Sequence, residues 1–194
     1  MKRFQDVALS LLVLAIIART LHVMVRAQSA DDTMVPAPTV LIGDTVPALT
    51  GYAEDGVLTT VSLDSDSYTA TVVYAFHPEC VFCDLVASEW AAHFAAGDPK
   101  AAPVRRIAVT RELPGPAATH AQQFNWDIDL LSVSGSVEMS PEAFLVSRTP
   151  WVYVFDRDGV LRFHADGAEV EHVDQAMAEI ASLSEVARRS ESTR

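Results

Sequence analysis

The chain changes its hydrophobic period at one place in particular. Residues 69–76 (Thr-Ala-Thr-Val-Val-Tyr-Ala-Phe) make a short run rich in β-branched and aromatic side chains, which predicts a buried strand. Just beyond it, over residues 81–95, Phe82, Leu85, Val86, Trp90 and Phe94 recur at helical spacing and predict a helix with that stripe on the core. Further strands are predicted at 57–63, after the turn residues Glu54-Asp55-Gly56, at 104–110, at 128–133 with a weaker pattern, and at 151–155. Asp156-Arg157-Asp158-Gly159 reads as a tight turn and 160–164 as its hairpin partner. Helices are predicted over 117–124 and over 170–187, the latter with Val170, Val173, Met177 and Ile180 on one face. Another starts at Ser140-Pro141-Glu142, with Ser as cap and Pro at the first helical position. Strands alternating with helices, then a closing hairpin and helix, predict an α/β fold with a central mixed β-sheet flanked by helices.

The ends of the chain have other patterns. Lys2 and Arg3 precede an apolar run over 7–18, interrupted at Arg19 and His22 and closed by Arg26. This predicts an N-terminal hydrophobic helix within residues 1–26. With the interrupted part it reaches the roughly 20 residues of a membrane span, as a signal anchor with Arg19 snorkelling to the interface. The alternative is a signal peptide cleaved near Val25-Arg26-Ala27. Both export the remainder of the chain, with Lys2 and Arg3 left inside. The expected location is therefore the cell membrane, single-pass, with the domain on the extracytoplasmic (periplasmic) side, or else secreted or periplasmic after cleavage. Residues 27–39, with Pro36 and Pro38, read as a linker, 40–187 as the folded domain and 188–194 as a charged, disordered tail.

Composition narrows the function classes. A length of 194 residues suits one medium domain with appendages. The net charge of −12, from 14 basic and 26 acidic residues, argues against a nucleic-acid partner, which calls for a basic stripe. There are only two cysteines, in the motif Cys80-Val81-Phe82-Cys83, so no disulfide framework staples distant loops. With Cys80 at the start of the predicted helix, Cys83 lies one turn on, on the same side. Their Cα atoms are then about 5–6 Å apart, within disulfide range. Unpaired N–H groups and the helix dipole at that end favour a thiolate on Cys80, the attacking species in exchange. Redox exchange, an inert disulfide and half of a zinc site are the readings this spacing leaves open. The zinc reading needs further ligands, yet His93, His120, His164 and His172 are scattered without ligand spacing and read as surface residues. Trp90 and Phe94 need only a core role.

Four segments in a characteristic order carry a resemblance: Gly43-Asp44-Thr45-Val46-Pro47; Phe76-His77-Pro78-Glu79-Cys80-Val81-Phe82-Cys83; Arg148-Thr149-Pro150-Trp151; and Val154-Phe155-Asp156-Arg157-Asp158-Gly159-Val160-Leu161. Over roughly residues 41–187 the chain resembles the TlpA/ResA-type branch of the thioredoxin superfamily, the redoxin-like thiol–disulfide oxidoreductases of bacterial envelopes. The resemblance implies a thioredoxin-like fold and a reductase of partner-protein disulfides, with Cys80 as nucleophile and Cys83 resolving. It implies no cofactor beyond the redox-active pair, and as partners protein thiol or disulfide substrates and an upstream electron donor. It also implies a cis bond at Thr149–Pro150 facing the cysteines, with Thr149 and Pro150 touching substrate. Trp151, His77 and Glu79 are further candidates for substrate contact.

The chain departs from that pattern around the cysteines. Glu79 stands where Trp is frequent, and its carboxylate would disfavour the Cys80 thiolate unless it points into solvent. Tyr74 holds the place of the buried acid of thioredoxins, and Val86 the place of a frequent Glu, so the acid–base partner of Cys83 is not identified. Two other functions are carried alongside. A thiol peroxidase-like redoxin would have Thr or Ser three residues before the reactive cysteine, where this chain has His77. A Cu(I)-binding, metallochaperone-like domain would use both thiols and a histidine.

Overall fold

The computed structural model describes residues 40–95, 103–133 and 140–191, the last eight by backbone alone. The expected anchor or signal segment (1–26) and linker (27–39) lie outside the described residues. Among the described residues no helix is long and apolar enough to cross a membrane.

Among the described residues there are seven strands and four helices: β1 (Ala48–Tyr52), β2 (Leu58–Ser62), β3 (Ala70–Phe76), α1 (Val81–Ala95), β4 (Val104–Thr110), α2 (Pro114–Gln123), β5 (Asp129–Ser132), α3 (Pro141–Leu145), β6 (Trp151–Asp156), β7 (Leu161–Asp166) and α4 (Val170–Glu191). The sheet order is β2-β1-β5-β4-β3-β6-β7. β3, β4 and β5 are parallel, and β6, β7, β1 and β2 join antiparallel to their neighbours. β3 lies between β4 and β6 and every one of its residues is buried. Alternation sends Tyr74 and Phe76 to one face, with Val152, Val154, α1 and α4, and Val73 and Ala75 to the other, with Tyr153, Phe155 and Leu145. The parallel pair needs a crossover, and α1 supplies it, so the loop between the end of β3 and α1 is held at the rim of the sheet.

Several expectations are corrected here. β1 is not among the predicted strands. It is short and carries Gly51, whose place is fixed by crowding, since a Cβ there would sit 2.5 Å from the Ser132 carbonyl oxygen. α2 begins at Pro114 rather than at 117, because prolines in a first turn give up no helical hydrogen bond. α4 continues to Glu191 rather than ending at 187. On α1 the inward arc is Cys83, Val86, Ala87, Trp90 and His93. Phe82 and Leu85, expected in the core, are 68% and 74% exposed. At about 100° per residue, Leu85 lies about 160° round the helix from Cys83. The apolar pattern of this helix is therefore broader than its buried face. The Ser140 cap is as expected: its hydroxyl accepts the Ala143 N–H at 3.3 Å. So is the closing hairpin, where Asp156 Oδ1 accepts the N–H groups of Asp158 and Val160 at 3.0 Å each and Gly159 turns the chain at φ +70°.

His93 and His120, read as surface residues, are buried. His93 belongs to a chain of polar groups under α1. The Tyr74 hydroxyl lies 2.7 Å from His93 Nδ1, and His93 Nε2 lies 2.8 Å from Asp174 Oδ1. Burial raises the Tyr74 pKa well above the ordinary phenol value, so Tyr74 donates to Nδ1 and Nε2–H donates to Asp174. Trp90 and Phe94 edge onto the Tyr74 ring at centroid distances of 5.1 and 4.8 Å. The chain ties β3, α1 and α4 together. Tyr74→Phe strands a buried nitrogen and is expected to cost about 1–3 kcal/mol, read as a lower denaturation midpoint at unchanged m-value. Wild-type stability in that variant would show the chain carries no load.

Candidate active site

The loop His77-Pro78-Glu79 closes as a turn in which the Cys80 N–H donates to the His77 carbonyl at 3.0 Å. Helix α1 then starts, and the Cys80 carbonyl accepts the N–H groups of Cys83 at 2.9 Å and Asp84 at 3.2 Å. Cys80 is half-buried at the rim, while Cys83 is wholly buried one turn deeper; neither is in a disulfide. Facing them, the Thr149–Pro150 bond is cis, as the resemblance implied. The Cys80 thiol lies 3.8 Å from the Thr149 carbonyl oxygen, and the His77 N–H donates to Cys83 Sγ at 3.4 Å.

These surroundings separate the two sulfurs. Partial burial works to raise the Cys80 pKa, but hydrogen bonds from the Cys83 thiol, the Cys83 and Phe82 N–H groups and the Thr149 side chain outweigh it. The net result is a thiol below its ordinary value. Glu79 is exposed, which answers the concern about its carboxylate. Cys83 goes the other way: burial pushes it up to about 12, the neighbouring Cys80 adds to the rise, and the His77 N–H only partly offsets it. The result is one thiol poised to ionise and one held protonated.

The cis-proline loop is braced from behind by a residue that carried no signal in the sequence. Gly167 donates its N–H to the Pro150 carbonyl at 3.2 Å, and its carbonyl accepts Trp90 Nε1–H at 2.7 Å. A Cβ on Gly167 would lie 2.6 Å from Trp90 Cζ2 and 2.7 Å from Pro150 Cβ. Gly167→Ala is therefore expected to overpack the wedge by about 1–3 kcal/mol. It should also slow exchange with protein disulfides more than alkylation of Cys80 by a small reagent. Equal effects on both reactions would place the damage elsewhere.

The remaining candidates fall in different places. His77 and Glu79 sit on the cysteine loop: the Glu79 N–H donates to His77 Nδ1 at 3.2 Å, and His77 Nε2 lies 3.3 Å from Glu112 Oε1. Glu112, on the loop between β4 and α2, is a second residue that sequence reasoning missed, since only the β3–β4 pairing brings that loop beside His77. Trp151 is adjacent to Pro150 in sequence but packs on the opposite sheet face from Cys83, under Arg148 at 5.2 Å from its ring centre. Buried His120 stacks on Phe76 at 5.3 Å and faces Asp84 at 3.8 Å; burial holds its pKa below the ordinary histidine value, with Asp84 opposing. Among the described residues no group of three His, Cys, Asp or Glu side chains is placed to hold a metal ion.

A parallel core strand leading through a cysteine loop into a helix, opposite a cis-proline, and followed by an antiparallel hairpin and a helix decides the architecture. The fold is thioredoxin-like. It is shared with a peroxiredoxin-like protein from Aquifex aeolicus (TM-score 0.58, 15% identity, 74% of this chain and 90% of that one). It is also shared with a secreted Mycobacterium tuberculosis disulfide oxidoreductase homologous to E. coli DsbE (0.52, 16%, 68% and 95%). A third similar structure is peroxidoxin BcpB from Mycobacterium tuberculosis (0.53, 18%, 74% and 97%). No family model and no curated protein matches the sequence. At such identities the likeness speaks for the thioredoxin-like scaffold, and the chemistry has to be argued from the residues on it.

Proposed function

We propose that this protein is an extracytoplasmic thiol–disulfide oxidoreductase that reduces disulfides of partner proteins. The observation that carries the reading is the asymmetry of the pair: an accessible Cys80 with a lowered pKa above a buried Cys83 held protonated, facing Thr149. The Cys80 thiolate attacks a partner disulfide R–S–S–R′, forming the Cys80–S–S–R bond and releasing R′–S⁻, which takes a proton from solvent. Cys83 then gives up its proton and attacks Cys80 Sγ. The bond to R breaks, and R–S⁻ leaves with the equivalent of that proton. The partner gains two electrons, the pair becomes Cys80–S–S–Cys83, and an upstream dithiol donor restores it by the same exchange in reverse.

Thr149, before the cis-proline, is the backbone edge along which an extended partner segment would align, in the manner of an added strand. Val81, Phe82, Leu85 and Leu113 are all exposed large apolar residues. Three of them stand on the cysteine helix and the fourth precedes α2, surfaces suited to a protein partner rather than a small solute. The peroxidase reading has less support, because His77 at the position three before Cys80 has both ring nitrogens engaged. The reducing direction follows the family resemblance, and the export of the domain follows the apolar segment after Lys2 and Arg3.

The test is reduction of insulin by the reduced protein with a dithiol as donor. Catalysed cleavage is expected, with one Cys80–Cys83 disulfide formed per insulin disulfide opened when the donor is left out. Cleavage no faster than with the donor alone would sink the reading.

A further inference from the structure

Resolution poses a problem that attack does not. Cys83 is wholly buried and held protonated by that burial, yet it must become a thiolate. The place of the buried acid of thioredoxins proper is occupied here by Tyr74, committed to His93, and the place of the Glu frequent in the resembling branch by apolar Val86. A different arrangement meets the sulfur, centred on His77. Its N–H donates to Cys83 Sγ at 3.4 Å and its carbonyl accepts the Cys80 N–H at 3.0 Å. Its ring closes the turn between them. Because Nδ1 accepts the Glu79 N–H, the proton is on Nε2, which faces Glu112 Oε1 at 3.3 Å. Glu112 is itself anchored: its N–H donates to Thr110 Oγ1 at 3.2 Å, and its carbonyl accepts the Ser132 hydroxyl.

The geometry points to His77 and Glu112 as a positioning pair for the resolving step, an assignment that rests on the oxidoreductase reading above. Glu112 fixes the imidazole, the imidazole holds the Glu79 peptide, and the closed turn keeps the His77 N–H aimed at Cys83 Sγ as its negative charge develops. Neither residue transfers the proton. The Cys80 thiolate does not draw on this arrangement, because its own backbone donors are the N–H groups of Phe82 and Cys83 in α1. The pair therefore acts on the second half of the exchange and leaves the first alone.

Dithionitrobenzoate separates the halves. The first thionitrobenzoate leaves when Cys80 attacks the probe, and the second leaves when Cys83 displaces it from Cys80; two S–S bonds break in sequence and one protein disulfide forms. In the full chain, His77→Ala and Glu112→Ala are expected to slow the second release about tenfold, the worth of one hydrogen bond to a charged sulfur. The first release should stay within about twofold. His77→Asn, whose side-chain oxygen can accept the N–H two residues on, should recover most of the second phase, and adding Glu112→Ala to it should then change nothing.

The assignment is overturned if the second release keeps its wild-type rate in both alanine variants. It is equally overturned if both releases slow together, or if Glu112→Ala still slows a His77→Asn protein. The probe reads the two thiols directly. A protein that shows the predicted split but leaves insulin intact would retain the positioning pair and lose the reductase reading, and the reverse result would do the opposite.

Discussion

Cys80→Ser is expected to lower disulfide reduction by at least about a thousandfold, equivalent to about 4 kcal/mol of barrier, whereas Cys83→Ser leaves the attack intact and accumulates a covalent complex with the partner. The difference comes from position. Cys80 is the reachable sulfur, and serine in its place has no accessible anion near neutral pH, so nothing begins the exchange. Cys83 is one turn deeper, with no exposed surface, and cannot meet a macromolecular disulfide. In the proposed exchange its contribution is to displace R–S⁻ from Cys80. Without it, the mixed disulfide persists until another thiol arrives. Non-reducing electrophoresis of Cys83→Ser exposed to an extract of its own cells should show a higher band that a dithiol removes, and mass spectrometry of that band identifies the partner. Capture by Cys80→Ser in place of Cys83→Ser would reverse the two roles.

The second large effect is in the order of alkylation with pH. Reactivity follows the thiolate fraction, which rises tenfold per pH unit below the pKa. Cys80 lies below the ordinary thiol value of 9.0 and Cys83 near 12, so near neutral pH their thiolate populations differ by more than about a thousandfold. Burial adds a steric barrier in the same direction. As pH is raised, labelling of Cys80 by iodoacetamide should climb and level off first, with Cys83 silent until strongly alkaline pH. The sign is set by causes of different kinds: N–H donors hold a negative sulfur at the helix start, while the absence of water disfavours one beneath it. Peptide mapping of the adducts checks it, and equal labelling of the two cysteines at pH 7 would refute the asymmetry on which the proposed function stands.

What the sequence disclosed about this site and what it withheld have distinct physical origins. Local chemistry was legible. The β-branched run into Phe76 marks β3, Ser140 caps α3, Gly159 turns the hairpin, and the Cys80–Cys83 spacing puts one sulfur a helical turn beneath the other. Each depends on residues a few positions apart. The misplaced burial of Phe82 and Leu85 has another cause. Periodicity locates apolar positions but not the direction from which the sheet approaches, and here that direction is set by Cys83 turning inward. His93 and His120 were read as surface residues because an isolated histidine shows nothing of its partners, which in one case are Tyr74 and Asp174 from separate elements. Gly167 and Glu112 were invisible for the same reason. One is a glycine only because Trp90 and Pro150 close on it, and the other reaches His77 from across a parallel strand pair.

The Tyr74–His93–Asp174 chain has a consequence for electrochemistry. An ionisable carboxyl beneath a cysteine pair would change charge within the working range and add its own bend to the potential. A hydroxyl that stays protonated throughout does not. The midpoint potential of the pair should therefore fall by about 59 mV per pH unit while both thiols are protonated, and by about 30 mV per unit once Cys80 has ionised. In this respect the Tyr74 hydroxyl brings no charge of its own beneath the sulfurs, and the pH at which the slope changes is a reading of Cys80 itself.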